Sequence, residues 1–328
     1  MNEINMDIMK SKSPSLAIVV PCYNEKDAFP FCLDGLTSVL SNLICKGKIS
    51  DKSYILFVDD GSRDDTWEQI KAASCKNSFV RGLKLSRNRG HQIALMAGLS
   101  NADTDVTVSI DADLQDDISC IEKMIDKYHE GFEIVYGVRD NRDSDSVFKR
   151  TTANKFYSLM SWLGVNQVPN HADFRLLGRT ALSALNKFKE QNVYLRGLIP
   201  LLGYKSTNVY YSRDERVAGE SKYPLKKMLS LALEGITSLT ITPLRMIAMA
   251  GIVTCLISSI AAIYAVIEKL QGDTVAGWTS VMIAIFFLGG VQMLSLGIIG
   301  EYIGKIYMES KNRPKFFIEE KAGGENEI

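Results

Sequence analysis

Two long apolar runs near the C-terminus constrain this chain more than any other feature. Met246–Ile267 spans 22 residues without a charge, and Trp278–Gly300 spans 23 residues with Gln292 as its one strongly polar side chain. As a helix, each run is about 33 Å long, enough to cross a hydrocarbon core of about 30 Å. Because only Glu268–Gly277 separates them, a membrane hairpin is favoured over two buried helices in a soluble core. We therefore predict a two-helix transmembrane hairpin.

Basic residues flank this hairpin at its outer ends. They are Lys222, Lys226, Lys227 and Arg245 before the first run, and Lys305, Lys311, Arg313 and Lys315 after the second. Because basic flanks stay in the cytoplasm, both termini and the large N-terminal part are predicted to be cytoplasmic. The first twenty residues carry charges and a proline, so no cleaved signal peptide is expected. The predicted location is the inner (cytoplasmic) membrane, as a multi-pass protein.

The charge and cysteine content argue against several classes of protein. Lysine plus arginine and aspartate plus glutamate both number 38, whereas a nucleic-acid-binding domain is normally strongly basic. The six cysteines form no C-x-x-C pair and the three histidines are scattered, which argues against a disulfide scaffold and a zinc site. We therefore expect no nucleic-acid partner.

The N-terminal half alternates short β-rich runs with stretches of helical period. The predicted strands are Leu16–Pro21, Tyr54–Asp59, Phe79–Leu85, Val106–Asp111 and Glu133–Gly137, and the predicted helices cover about 28–44, 64–75, 91–101 and 117–130. This alternation indicates βαβ units, with a mostly parallel sheet and helices on both faces in a Rossmann-like α/β fold. Ligands of such sheets bind beyond the carboxyl ends of the strands.

Acidic side chains follow three of these strands. Glu25 comes after the first, Asp59 and Asp60 end the second, and Asp111 and Asp113 end the fourth. Since neighbouring carboxylates repel one another, their accumulation at one sheet edge points to a ligand. Asp111 and Asp113 suit Mg²⁺ or Mn²⁺, which would also take diphosphate oxygens, although a solvated acidic turn is the alternative. No GxGxxG follows the first strand and no P-loop motif occurs, which disfavours a dinucleotide dehydrogenase and a P-loop NTPase.

At these positions the chain resembles a known family. The motifs PCYNE from Pro21, VDDGSRD from Val58 and DADLQD from Asp111 have the order and spacing of family 2 inverting glycosyltransferases with the GT-A fold. With RNRGHQ from Arg87, HADFR from His171 and the hairpin, they resemble the polyprenyl-phosphate branch, which includes dolichol-phosphate mannose synthases and bactoprenol glucosyltransferases. The QxxRW motif of processive synthases is missing, which favours transfer of a single sugar.

The resemblance implies roles for individual residues. Those expected to bind the nucleotide sugar are Pro21, Tyr23, Asn24, Glu25, Asp59, Asp60, Arg87, Asp111 and Asp113. Those expected to hold the metal are Asp111, Asp113 and Gln115, and the expected catalytic residues are Asp173 and Arg175. Those expected to close over the donor diphosphate as a lid are Arg213, Arg216, Ser221 and Lys222, with an ordinary solvated loop as the alternative.

A lipid phosphate acceptor needs cationic partners on the cytoplasmic side. Arg139 after the fifth strand and Lys149 with Arg150 at the start of a helical stretch are predicted to bind it. A phosphate monoester has a second pKa of about 6, so it scarcely needs deprotonation. Asp173 is therefore expected to orient the acceptor or to complete its deprotonation, rather than to act as an essential base.

The predicted organisation has four parts. A cytoplasmic GT-A domain covers 1–223, an amphipathic juxtamembrane helix 224–243, the hairpin 244–304, and a cytoplasmic tail, disordered at its end, 305–328. The predicted function is transfer of one glucose from UDP-glucose to polyprenyl (undecaprenyl) phosphate. GDP-mannose or another UDP-sugar is an alternative donor, and a non-catalytic membrane scaffold is an alternative of a different class. The resemblance also suggests a homo-oligomer, with a separate flippase and a downstream glycosyltransferase acting on the product.

Overall fold

The computed structural model describes residues 13–139, 171–191, 193–212, 240, 242–271 and 277–324. The chain divides into two units, each of which is described by itself. The first unit comprises Met1–Tyr157, Asn166–Tyr223 and Arg313–Ile328, and the second comprises Ser158–Val165 and Pro224–Asn312.

An eight-stranded sheet forms the centre of the first unit. Its strands are β1 (Leu16–Cys22), β2 (Tyr54–Asp59), β3 (Val80–Leu85), β4 (Val106–Ser109), β5 (Ile134–Arg139), β6 (His171–Gly178), β7 (Ser206–Tyr211) and β8 (Ile318–Ala322). Its described helices are α1 (Phe29–Cys45), α2 (Thr66–Lys76), α3 (His91–Asn101), α4 (Cys120–His129), α5 (Arg179–Leu185) and α6 (Leu195–Leu201).

The sheet is mixed but mostly parallel, with the strand order β7-β5-β6-β4-β1-β2-β3-β8. β1 pairs in parallel with β2 and β4, β2 with β3, and β5 with β7, whereas β6 and β8 run antiparallel to their neighbours. All five predicted strands and all four predicted helices are present, with small shifts at their ends. The prediction of an α/β fold with a mostly parallel sheet is confirmed, and the fold is GT-A-like.

Helices α1 and α3 pack closely on the central strands of the sheet. β1 and β2 are buried along their whole length, as expected for parallel strands covered on both faces. On one face, α1 contributes Leu36, Leu40 and Leu43 at helical spacing. A side chain at Gly98 of α3 would come within 2.3 Å of Val19 in β1, so glycine lets α3 lie directly on the sheet. This packing places the N-terminus of α3 near the carboxyl ends of β1 and β2.

Four strands bring their ends to one edge of the sheet. The carboxyl ends of β1, β2 and β4 lie together because these strands are parallel neighbours. β6 runs antiparallel beside β4, so its first residues reach the same edge. Asp173, near the start of β6, therefore lies at the same edge of the sheet as the residues that follow β1, β2 and β4.

Two long helices, α7 (Thr242–Gln271) and α8 (Trp278–Ser310), are the main described elements of the second unit. They contain both predicted apolar runs and continue past the predicted ends of those runs. Among the described residues, Phe287–Ser310 is long and apolar enough to span a membrane, with a mean hydropathy of 1.3, and Thr242–Thr254 is a shorter apolar helical stretch. The predicted amphipathic helix lies almost entirely outside the described residues.

The C-terminal tail differs from the prediction in its described part. Ile318–Ala322 forms β8, which pairs antiparallel with β3 at the edge of the sheet. Glu320 of β8 accepts a hydrogen bond from the indole of Trp67 at 2.8 Å and forms an ion pair with Lys71 at 2.9 Å. The predicted tail at 305–328 thus contains the end of α8 and an edge strand of the first unit. The disorder predicted for its end concerns residues 325–328, which lie outside the described residues.

Candidate active site

The turns that follow β1 and β2 are joined by hydrogen bonds. The amide of Asn24 donates to Ser62 Oγ at 3.0 Å, and Asn24 Oδ1 accepts from the amide of Arg63 at 2.8 Å. Asn24 has a left-handed backbone with φ of 54°, which asparagine tolerates better than most residues. The amide of Glu25 donates to Thr66 Oγ1 at 2.9 Å. The two predicted nucleotide-binding motifs therefore form one connected edge.

Other predicted nucleotide-binding residues differ in exposure. Pro21 is buried in β1, whereas Tyr23 and Arg87 are exposed. Arg87 lies in the loop before α3, and its backbone contacts the turn after β2 at Gly61. A Cβ on Gly61 would lie 2.7 Å from the carbonyl carbon of Arg87, and the φ of Gly61 is +65°. Glycine at this position therefore permits the contact between the two loops.

Asp59 and Asp60 are both buried at the end of β2. The two oxygens of Asp60 accept hydrogen bonds from the amides of Arg89 and Gly90 at 2.7 and 2.8 Å. Burial raises the pKa of Asp60, and these two amides oppose the shift. Asp59 accepts from the amide of Ser62 at 3.2 Å, and its Oδ1 is buried without a hydrogen-bond partner among the described residues. Asp60 thus anchors the loop before α3, and its contact with the nucleotide sugar stays a prediction.

The loop after β4 carries the predicted metal ligands. Leu114, between Asp113 and Gln115, has a φ of +49°, a costly conformation that is typical of functional sites. The amide of Gln115 donates to Asp113 Oδ1 at 3.3 Å. Oδ1 of Asp111 is buried and accepts no hydrogen bond from the described residues. Burial and neighbouring aspartates raise the pKa of Asp111 to about 6, although the charge of His91 opposes the shift.

These features fit a divalent cation held jointly by the protein and a substrate. A buried carboxylate oxygen without a donor is stabilised by a cation, and carboxylate and amide oxygens are hard ligands that suit Mg²⁺ and Mn²⁺. In the part of the chain that is described, no group of three or more His, Cys, Asp or Glu side chains is placed to hold a metal by itself. Asp111, Asp113 and Gln115 are the residues that would hold such a cation, and this role stays a prediction.

Asp173 lies near the start of β6 and is held against β4. Ser109 Oγ donates to the carbonyl oxygen of Asp173 at 2.5 Å, which fixes the backbone of β6. The side chain of Asp173 is buried and forms an ion pair with the buried side chain of Arg175. Residues two apart on a strand face the same side, so this contact follows from the H-A-D-F-R spacing. The structure thus places the two predicted catalytic residues in direct contact.

Three further side chains converge on the Asp173 carboxylate. His91 and Gln92, the first residues of α3, place their Nε2 atoms 3.2 and 3.1 Å from Asp173 Oδ2. Arg196 of α6 donates to the same oxygen from Nη2 at 3.2 Å. Gln92 also accepts a hydrogen bond from the amide of Leu195 at 3.2 Å, which ties α6 to α3. Asp173 is therefore the point at which β6, α3 and α6 meet.

Asp173, Arg175, Arg196 and His91, here called the Asp173 cluster, carry a surplus of positive charge. Burial would raise the pKa of Asp173, but Arg196, His91 and Arg175 outweigh it and hold the pKa well below its ordinary value. Burial also lowers the pKa of His91, but its hydrogen bond to Asp173 and the charges of Asp111 and Asp173 raise it to about 9. The imidazole is therefore charged at neutral pH, and the cluster is suited to an anionic substrate group.

Asp116, the last residue of the DADLQD motif, is another buried carboxylate at this edge. It accepts hydrogen bonds from Arg139 Nη2 at 3.0 Å and from the hydroxyl of Tyr211. Arg139 ends β5 and Tyr211 ends β7, so these three residues join two strand ends to the loop after β4. Arg139, predicted to bind the acceptor phosphate, thus neutralises a buried carboxylate. Its contact with a phosphate stays a prediction.

Six of the predicted site residues lie outside the described residues. They are Arg213, Arg216, Ser221 and Lys222 of the predicted lid, and Lys149 and Arg150 of the predicted acceptor site. Their roles stay predictions.

Sequence reasoning assigned no role to several residues that the structure places at the site. His91 and Gln92 belong to the RNRGHQ motif, and their position at the start of a helix was the available signal. Asp116 belongs to the DADLQD motif. Arg196 lies in the YLRG sequence that follows Gln191, which does not match QxxRW, so no motif marked this arginine.

Comparisons with known proteins cover almost the whole chain. The family described as glycosyl transferase family 2 matches residues 17–185, and the family described as GtrB C-terminal hairpin matches residues 242–306. The uncharacterized glycosyltransferase YkoT of Bacillus subtilis is 53% identical, covering 95% of this chain and 93% of that protein. Bactoprenol glucosyl transferase of Shigella phage SfII is 37% identical, covering 94% of this chain and 99% of that protein.

Among solved structures, glucosyl-3-phosphoglycerate synthase from Mycobacterium tuberculosis with Mn²⁺ and UDP-glucose is similar at 18% identity. Its TM-score is 0.45, and the similarity covers 73% of this chain and 82% of that one. Similarity this low carries no argument about ligands. The family is shown by other matches. The family 2 model covers more than half of the chain, and the relatives cover more than nine tenths of it. The chain is a glycosyltransferase and belongs to glycosyl transferase family 2.

Proposed function

We propose that this glycosyltransferase transfers a single glucose from UDP-glucose to polyprenyl (undecaprenyl) phosphate, with inversion at the anomeric carbon. The observation that carries the proposal is the closeness of two unlike regions, the acidic loop at Asp111 and the Asp173 cluster, which are bridged by His91. The loop suits a nucleoside diphosphate held through a cation, and the cluster suits an anionic group. The relatives named bactoprenol glucosyl transferase support the choice of sugar and acceptor.

Asp111, Asp113 and Gln115 would hold Mg²⁺ or Mn²⁺. A bound cation supplies positive charge that stabilises the departing nucleoside diphosphate. The buried Oδ1 of Asp111, which accepts no hydrogen bond from the described residues, supports its assignment as a ligand. The connected turns after β1 and β2, with Tyr23 exposed, would line the nucleotide.

We assign Asp173 an orienting role rather than that of an essential base. A carboxylate whose pKa is held well below its ordinary value is a poor proton acceptor. The acceptor phosphate, with a second pKa of about 6, is largely dianionic at neutral pH and can attack without a base. Its oxygen would form a bond to the anomeric carbon on the face opposite the breaking bond to UDP. The positive charges of His91 and Arg196 would stabilise phosphate groups near that carbon.

The remaining phosphate contacts are proposed from the sequence. Arg213, Arg216, Ser221 and Lys222 would close over the donor diphosphate. Lys149 and Arg150 would bind the acceptor phosphate, together with Arg139, whose guanidinium also pairs with Asp116.

We further propose that α7 and α8 form a transmembrane hairpin, with the catalytic domain and both termini in the cytoplasm. The match to a hairpin family at residues 242–306 and the exposed apolar side chains of both helices support this arrangement. The basic residues that flank the hairpin support the orientation. An interfacial helix over 224–243, homo-oligomer formation, and a flippase and a downstream glycosyltransferase that act on the product complete the proposal.

Transfer of radiolabelled sugar into an organic-extractable lipid tests the proposal. The purified full-length protein would receive polyprenyl phosphate, Mg²⁺ or Mn²⁺ and, in parallel, UDP-glucose, UDP-N-acetylglucosamine, UDP-galactose or GDP-mannose. We expect lipid label from UDP-glucose that is abolished by EDTA and by Asp113→Asn. The matched control is Asp103→Asn, which changes an exposed carboxylate away from the site and should retain transfer.

The other outcomes are equally informative. Label from a different donor would contradict the choice of glucose while keeping the reaction. No lipid label from any donor, with nucleotide still bound, would overturn the polyprenyl-phosphate acceptor and favour the scaffold.

A further inference from the structure

We propose that the C-terminal segment, residues 313–322, belongs to the framework of the donor site and that Arg89 is the positioning residue through which it acts. The carbonyl oxygen of Lys315 accepts a hydrogen bond from Arg89 Nε at 2.7 Å. The amide of the same arginine donates to Asp60 Oδ1 at 2.7 Å. One residue thus links the C-terminal segment to a buried carboxylate at the carboxyl edge of the sheet. The inference rests on the proposed function in that it takes this edge as the donor site.

The loop that Arg89 holds continues directly into the Asp173 cluster. Gly90 donates to the second oxygen of Asp60 at 2.8 Å and has a φ of +89°. His91 and Gln92 follow at once and contact Asp173. Because a glycine precedes them, the backbone here is free to adopt many conformations unless its neighbours hold it. Asp60 holds the amides of both Arg89 and Gly90, and these two residues together set the position from which His91 and Gln92 reach the carboxylate.

The C-terminal segment is itself held on two sides, so the carbonyl oxygen of Lys315 is a fixed acceptor. On one side, Gln191 Nε2 donates to the carbonyl oxygen of Arg313 at 2.6 Å, and Lys315 Nζ donates to that of Phe188 at 3.0 Å. On the other side, β8 pairs with β3. A charged guanidinium donor forms a stronger hydrogen bond than a neutral one. The hydrogen bond from Arg89 to Lys315 therefore holds the loop before α3 in a defined position relative to the C-terminal segment.

The C-terminal segment that Arg89 contacts is joined directly to α8 of the proposed membrane hairpin. α8 ends at Ser310, and the C-terminal segment begins three residues later. The stretch of chain that leaves the proposed membrane hairpin therefore enters the framework of the donor site. We infer that the segment orders the loop of residues 86–92 for donor binding.

Hydrogen exchange of the full-length protein tests the inference without any substrate. The amides of Arg89 and Gly90 donate to Asp60, so their exchange reports the order of the loop. We expect about tenfold faster exchange in Arg89→Ala, because a charge-assisted hydrogen bond is lost, and a smaller increase in Arg89→Lys. The matched control is Glu319→Ala on β8, which removes an ion pair with Lys84 of β3 and should leave the exchange of the loop unchanged.

Donor kinetics supply the functional readout. We expect Arg89→Ala to raise KM for the UDP-sugar about tenfold, with a smaller change in kcat and with partial rescue by Arg89→Lys. UDP affinity, measured in parallel, separates the two ways of failing. If the wild-type protein transfers no sugar, the proposed function fails, while hydrogen exchange and UDP affinity still test Arg89. Unchanged exchange in Arg89→Ala, or equal loosening in Glu319→Ala, would overturn the inference.

Discussion

Asp173 and Asp111 both have a buried carboxylate oxygen, but the two side chains differ in their partners and in the direction of their pKa shifts. Asp173 is contacted by Arg175, Arg196 and His91, which hold its pKa well below the ordinary value. Asp111 has an oxygen that accepts no hydrogen bond from the described residues, and its pKa is raised to about 6. Yet Nε2 of His91 lies 3.2 Å from the first carboxylate and 3.5 Å from the second. Three cationic side chains thus compensate the charge of Asp173, whereas for Asp111 we propose that a divalent cation supplies the compensation that His91 leaves incomplete.

The largest effect is expected from Asp111→Asn on sugar transfer. Removing the charge of this proposed metal ligand should lower the rate on the order of a thousandfold, because a bound cation contributes several kcal/mol of stabilisation to the developing charge. The measurement is transfer of labelled glucose to polyprenyl phosphate at saturating Mn²⁺. EDTA should reduce the wild type to the same level, whereas Asp103→Asn should leave the rate unchanged. A variant that kept nearly full activity would remove Asp111 from the metal site.

Asp173→Asn should affect folding more than any other aspartate substitution in the site. It leaves Arg175, Arg196 and His91 close together without their carboxylate, and breaking a buried ion pair in this way costs about 3 kcal/mol. Denaturant unfolding of the detergent-solubilised protein, followed by tryptophan fluorescence, measures the change in free energy of unfolding. Equal stability of this variant and Asp103→Asn would contradict the view that Asp173 holds its three cationic neighbours in place.

Tyr211→Phe tests whether Asp116 is compensated in the same way as Asp173. The substitution removes a hydroxyl donor from a buried carboxylate, which should cost about 1–2 kcal/mol of unfolding free energy. Tyr210→Phe is the matched control, since that neighbouring ring is 57% exposed and its hydroxyl should contribute little. If both variants unfold alike, Arg139 is sufficient for Asp116.

The smallest effect, of opposite sign, is expected from Asp111→Asn on the stability of the metal-free protein. Burial and neighbouring aspartates raise the pKa of Asp111 despite the charge of His91, so removing the carboxylate charge should stabilise the fold. The gain should stay below about 1 kcal/mol, because the side chain is 36% exposed and solvent screens it. The same unfolding experiment measures it, in EDTA. A loss of stability would show that the metal-free protein already compensates Asp111.

The features best predicted from the sequence are those that depend on residues close to one another along the chain. The strands that end at Cys22 and Asp59 could be predicted because continuous apolar runs lead directly into polar turns. Asp173 and Arg175 were found through a motif, and their contact follows from the period of a strand. In these cases the relevant neighbours lie within a few residues of one another.

Contacts between distant parts of the chain could not be predicted in this way. Arg196 reaches Asp173 only because α6 packs beside α3 through Gln92, and nothing near YLRG signals that approach. β8 has the charged sequence IEEKA, which is typical of a solvated tail, and it forms a strand because β3 offers a free edge. The hydrogen bond from Arg89 to the carbonyl oxygen of Lys315 is likewise a contact between distant parts of the chain.

Binding of UDP-glucose by calorimetry, with and without Mn²⁺, tests the contrast between Asp111 and Asp173 most directly. The wild type, Asp111→Asn and Asp173→Asn would be measured under identical conditions. We expect Mn²⁺ to tighten binding to the wild type and to Asp173→Asn, but not to Asp111→Asn. A variant at Asp111 that still responds to Mn²⁺, or a variant at Asp173 that no longer does, would contradict the assignment of the cation to the first region and of the compensated, orienting carboxylate to the second.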